Sequence, residues 1–162
     1  MDQLTLFPLP YKYIMDTSAV LSQKPNEPHR RSVYRGLWER IEGHIRDHVI
    51  VICSEVKEEI KDDTIKDWIS QNNCLILDID ESIQINVRKI VTENPTMIEF
   101  TGKSGTSSGD AFLIATAMKY NLVVVTEENK KKETKIPKIC EKYGITAINL
   151  TELCEIENWK FY

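Results

Sequence analysis

A chain of 162 residues suits one domain, 1–162, around a single core. Its composition, 41% apolar and 28% charged, is ordinary for a globular protein, and no apolar run reaches the length of a membrane-spanning helix. A net charge of −4 excludes a strongly basic, non-specific nucleic-acid binder unless part of the acid is there to hold a cation.

Residues 1–10 lack the pattern of a secretory signal, so a cytoplasmic protein is expected. The four cysteines (Cys53, Cys74, Cys140, Cys154) form no C-x-x-C pair and read as reduced thiols, two of them within apolar runs. His29, His44 and His48 fall in one stretch. Without an H-E-x-x-H frame, His44 and His48 read as solvated helix positions.

Residues 12–15 read as a short strand ending at Asp16. Pro25, Asn26 and Pro28 mark a loop. From about Ser32 to Asp47, Val33, Leu37, Ile41 and Ile45 recur every four residues, with Tyr34 and Trp38 widening the stripe, and predict an amphipathic helix. The run 49–53 is a strand buried on both faces, and Ser54 is placed to cap a helix carrying Val56, Glu59 and Ile60. A helical piece with Ile65, Trp68 and Ile69 follows, then a strand at 74–77 and a helix from Glu81 to Glu93. Residues 94–109, rich in Gly and Ser, read as a loop at a site mouth. A helix is predicted from Gly109 to Tyr120, with Ala111, Ile114, Ala115 and Met118 inward. Val123–Val125 is the clearest central strand. After a lysine-rich loop, Pro137 starts a helix that Gly144 ends. The last strand spans 145–148, and Thr151 is placed to cap a terminal helix. The alternation predicts a three-layer α/β/α sandwich with a mainly parallel sheet and right-handed crossovers.

In such a sheet ligands bind outside the carboxyl ends of the strands. Asp16 and Glu128 follow strands, while Asp110 and Glu59 lie in the first turns of helices that begin on that edge. Four carboxylates there repel. A pair about 4 Å apart costs roughly 4 kcal/mol at an effective dielectric near 20. Mg²⁺ or Mn²⁺ relieves that repulsion, since hard ions take oxygen ligands and keep positions open for a phosphate and water. The residues thus point to a metal-dependent phosphodiester hydrolase. Glu55 and Glu58 compete with Glu59, and Glu127 with Glu128.

The motifs carry a family resemblance. Asp16-Thr17-Ser18 after a strand, Val56-x-x-Glu59-Ile60, Asp110-Ala111-x-Leu113-Ile114-Ala115-x-Ala117 and Val124-Val125-Thr126-Glu127-Glu128 resemble, in order, the four motifs of PIN-domain nucleases. The segment Lys135-Ile136-Pro137 to Gly144-Ile145 is similar to a subgroup placed with VapC-type toxins. The resemblance implies a PIN-like fold and Mg²⁺- or Mn²⁺-dependent RNA cleavage leaving a 5′-phosphate and a 3′-hydroxyl. It implies Asp16 and Asp110 as metal ligands, Glu59 and Glu128 completing the cluster, Ser18 and Thr126 orienting a carboxylate or touching substrate, and Lys130 and Lys131 near RNA. One or two ions fit this scheme. A toxin implies a cognate antitoxin. The stripe 33–45 serves the core, that antitoxin or a homodimer. The competing class is a catalytically weak PIN-fold interaction module whose acids bind a partner's arginine. A receiver domain and an aspartic-protease turn fit the motifs less well.

Overall fold

The computed structural model describes residues 8–95, 108–131 and 135–161. The elements run β1 (Tyr13–Met15), α1 (Thr17–Leu21), α2 (Arg31–Arg46), β2 (Ile50–Cys53), α3 (Ser54–Glu59), α4 (Asp63–Gln71), β3 (Ile76–Leu77), α5 (Glu81–Glu93), α6 (Ser108–Tyr120), β4 (Val123–Val125), α7 (Ile136–Lys142), β5 (Ala147–Ile148) and α8 (Leu150–Glu157). The five strands form one sheet in the order β3-β2-β1-β4-β5. Every pairing is parallel, with Met15 opposite Val125 and Cys53 opposite Leu77. The chain winds outward from β1 to β3, then restarts at β4 beside β1. That reversal opens a crevice at the carboxyl ends of β1 and β4, where doubly wound sheets place their ligands.

The central strands are apolar throughout because helices cover both of their faces. Tyr13, Ile14 and Met15 are buried, as are all four residues of β2. Helix α6 carries buried Ala111, Leu113, Ile114, Ala115, Thr116 and Ala117, so it is enclosed on most sides, while Met118 is only partly covered. Small residues let it lie close to its neighbours, and Asp110 in its first turn is drawn out of water with it.

Several local expectations need correction. The five-residue helix α1, capped by Asp16, was not anticipated: its apolar residues Ala19 and Val20 are too few to show a period. Ser54 is not a cap; Cys53 holds the cap position with no side-chain bond. The cap of α8 is Asn149 rather than Thr151, in a capping box with Glu152. The α2 stripe begins later than expected. Leu37, Trp38, Ile41 and Ile45 enter the core, whereas Val33 and Tyr34 are exposed and Tyr34 has non-helical backbone angles (φ −106°, ψ 37°). Trp38 is fully buried, which supports the core reading of that stripe. His44 is not a solvated position: its Nε2 lies 2.7 Å from Glu157 Oε1, and its ring packs edge-on against Trp159. The four cysteines are free thiols. Most of the loop expected at 94–109 lies outside the described residues.

Candidate active site

Asp16 stands one residue past β1, where its backbone N–H still donates to Val125 O (3.0 Å). Its side chain folds back to accept from Ala19 N–H (2.9 Å), capping α1. Ser18 Oγ donates to the same carboxylate at 2.8 Å, and Thr126 Oγ1 donates to its Oδ2 at 2.8 Å. Each hydroxyl also accepts a backbone proton from beyond β4: Ser18 from Glu127 N–H (3.0 Å) and Thr126 from Glu128 N–H (3.1 Å). Two hydroxyls thus stitch the ends of β1 and β4 together across the crevice. Asp16 is 3% exposed and Thr126 2%. Burying a carboxylate this deeply demands compensation.

Glu59, at the end of α3, accepts from Thr17 Oγ1 at 3.0 Å, which ties α3 to the start of α1. Glu128 Oε1 accepts from Ile136 N–H (3.0 Å), the first N–H of α7. Asp110 enters from α6. Burial above all, then the charges of Glu128, Asp16 and Glu59, push its carboxyl up to about 8, with Lys135 opposing. Burial pushes Asp16 up to about 7 even against its three donors, and the Glu128 charge adds to the rise. Cys140, buried in α7, reports the same cluster from another side. Burial pushes its thiol up to about 12, and the charges of Asp16, Asp110 and Glu128 add to it.

The four acids named from the sequence are therefore electrostatic neighbours at one sheet edge, and two of them are held far above the usual carboxylate range. Among the described residues no three His, Cys, Asp or Glu side chains are gathered as a ready-made ion cage. The donor chemistry nevertheless fits a hard divalent cation. All four groups offer carboxylate oxygens, and Asp110 and Asp16, raised first by burial and then by neighbouring carboxylates, are ones whose charged form a cation would favour. Asp16, Asp110, Glu59 and Glu128 are the residues that would hold such an ion.

The adjacent acids at the end of β4 have separate surroundings. Glu128 acts on Asp16 and Asp110. Glu127 instead accepts from Leu150 N–H (2.8 Å), at the start of α8, with its other oxygen 3.6 Å from His29 Nδ1. That imidazole nitrogen is buried and has no hydrogen-bond partner among the described residues. Glu59, rather than Glu55 or Glu58, is the α3 acid that acts on Asp110.

The lysines of the loop after β4 have different surroundings. Lys130 is exposed and paired with Glu152, and Lys131 is exposed. Lys135, just before α7, is the lysine whose charge reaches Asp110. Thr17 and His29 were not anticipated at this edge. Thr17 lies inside the first motif and could have been flagged by it, whereas no local pattern links His29 to Glu127.

The arrangement has known counterparts. The structure of PAE2754 from Pyrobaculum aerophilum aligns over 94% of this chain and 93% of its own, with a TM-score of 0.56 and 14% identity. FitAcB from Neisseria gonorrhoeae aligns over 86% and 98%, with a TM-score of 0.52 and 14% identity. VapBC2 from Rickettsia felis, bound to a DNA fragment from their promoter, aligns over 85% and 97%, with a TM-score of 0.53 and 17% identity. At these identities the likeness is one of fold, and it makes this chain a PIN-fold protein of the form seen in the VapBC and FitAB structures. The sequence matches no curated protein. A family model described as a domain of unknown function, DUF4411, matches residues 13–161, and the chain belongs to that family. Among the described residues no helix is long and apolar enough to cross a membrane.

Proposed function

We propose that this protein is a metal-dependent endoribonuclease of one PIN-like domain, acting in the cytoplasm as the toxin of a toxin–antitoxin pair. One observation carries the reading. Asp16, Glu59, Asp110 and Glu128, from four separate segments, share one electrostatic environment at the β1/β4 crevice, where burial first and then the charges of Glu128, Asp16 and Glu59 push the Asp110 carboxyl up to about 8. A structural role does not account for this, because a carboxylate cluster with no cation near it destabilises the fold.

Bound there, Mg²⁺ or Mn²⁺ would supply the counter-charge, lower the pKa of a water and polarise the phosphate. The chain's own residues do the rest. Asp16 is fixed in orientation by Ala19 N–H, Ser18 and Thr126. Thr17 aims Glu59. Ile136 N–H orients Glu128, and Lys135 brings a positive charge to the side where a phosphodiester would lie. The antitoxin partner is supported by fold likeness to complexes such as VapBC2, whose structure holds promoter DNA.

The test is cleavage of labelled single-stranded RNA by the purified chain with Mg²⁺ or Mn²⁺ and with EDTA. Metal-dependent products carrying a 5′-phosphate and a 3′-hydroxyl, lost in Asp16→Ala, are expected. Turnover that persists in EDTA, or in Asp16→Ala, would sink the proposal.

A further inference from the structure

The protein is acidic overall, yet RNA must be held by cations. We propose that the groove between α3 and α4 is the track for the RNA backbone, with Lys57, Lys61 and Lys66 contacting phosphates. This rests on the RNA-cleaving reading above. These three lysines line one cavity of about 250 Å³ with Ile60 and Ile69 among its walls. Among the described residues none of the three pairs with a carboxylate, whereas Lys24, Lys119 and Lys130 are engaged by Asp62, Asp80 and Glu152. Glu58 is the carboxylate in the lining, so three ammonium groups face one negative charge. Like charges gathered without partners favour a bound polyanion, because its phosphates replace the repulsion with attraction and release counterions.

The apolar floor adds order. Ile60 is 1% exposed and Ile69 3%, and lysine stems lie along such surfaces while their heads stay in water. Position links the groove to the site. Lys57 stands two residues before Glu59 on α3 and so lies off the Glu59 face, while Lys61 follows the extended Ile60 just past the helix end and lines the same groove. A single strand crossing α3 needs to span about 10 Å, the width of one helix, to pass from these lysines to the acids.

The experiment measures binding of labelled single-stranded RNA to the full chain carrying Asp110→Asn, to silence cleavage, across 50–200 mM salt. It compares native lysines with the set K57Q, K61Q and K66Q, which keeps the stems over Ile60 and Ile69. Each single-strand phosphate contact contributes a slope of about 0.7 in log affinity against log salt. The glutamine set should flatten the slope by about 2 and weaken binding at least tenfold at low salt, with KM raised and kcat kept in the cleaving parent. K89Q with K160Q, two exposed lysines outside the groove, should change neither. An unchanged slope in the glutamine set, with RNA still cleaved by the parent, overturns the track alone. A parent that neither binds nor cleaves RNA overturns the functional reading and the track with it. An acidic peptide that competes for the groove while RNA binding ignores the three substitutions also overturns it.

Discussion

Asp110→Asn should make the metal-free protein more stable, not less. In the fold the Asp110 carboxyl is pushed from 3.8 to about 8, first by burial and then by Glu128, Asp16 and Glu59. A raised acid binds its proton more tightly folded than unfolded, so the native state is penalised as pH rises from about 4 through 8. At 1.36 kcal/mol per unit the ceiling is about 6 kcal/mol. Rotation of the side chain toward water relieves part of it, and a gain of about 2 kcal/mol for Asn at pH 8 is the expected size. For a chain of this length that corresponds to roughly 4–8 °C in melting temperature. The gain should shrink to about 0.5 kcal/mol at pH 4, where the folded carboxyl is protonated and the unfolded one, near its ordinary value of 3.8, is only partly ionised. Added Mg²⁺ should stabilise the parent, by about 2.7 kcal/mol at a hundred times its Kd, and leave the Asn variant where it was. Thermal melts in EDTA and in Mg²⁺ at pH 4 and 8 give all four values. A variant that melts below the parent in EDTA at pH 8, or that keeps the full Mg²⁺ shift, would refute the account of this site as uncompensated charge.

Other substitutions separate roles that lie close together. Glu128→Gln should abolish the Mg²⁺ shift, whereas Glu127→Ala should keep it while losing about 1–3 kcal/mol in denaturant melts, because Leu150 N–H is left without its acceptor. Thr126→Val removes both the donor to Asp16 and the acceptor for Glu128 N–H. It should cost about 1–3 kcal/mol and move the acidic limb of the cleavage–pH profile upward, since Asp16 loses a bond that lowers its pKa. At the far end of the chain, Glu157 meets Tyr13 Oη at 2.5 Å and His44 at 2.7 Å. Burial raises its pKa, but the bonds from Tyr13 and His44 outweigh it and leave the carboxyl below its ordinary value. Its stabilisation is therefore present above about pH 4.5 and lost as pH falls through the lower folded value. Glu157→Gln should cost about 1–3 kcal/mol at pH 7, a difference that chemical denaturation should show shrinking toward acid.

Much of the fold was legible because burial leaves a repeating trace. The unbroken apolar runs at 50–53 and 123–125 are central strands flanked by helices on both faces, and no alternation could have placed them at a sheet margin. Helix α5 spans the expected Glu81–Glu93, opened by the Asp80 cap. What escaped the sequence was set by single contacts. Asn149 rather than Thr151 caps α8 because the capping box needs Glu152 three residues on, a pairing that Thr151 cannot make. The first turn of α2 pulls away from the core at Tyr34, whose ring instead meets His29 edge-on, so a four-residue repeat overran the buried part of the helix.

The approach of the four acids to one sheet edge was legible in motif order, whereas the choice between Glu127 and Glu128 was not. Extended backbone sends successive side chains to opposite sides. That alternation ends with β4 at Val125, and Glu128 stands in a bend, so side-chain contacts and not strand period sort these residues. Thr126 donates to Asp16, and Glu128 adds its charge to Asp16 and Asp110, while Glu127 turns to α8 and His29. Motif order alone leaves two adjacent glutamates equivalent, but their contacts separate them. Glu128 belongs to the charged cluster, and its neighbour anchors the edge that holds the cluster in place. Activity surviving in Glu128→Gln but lost in Glu127→Gln would reverse that division.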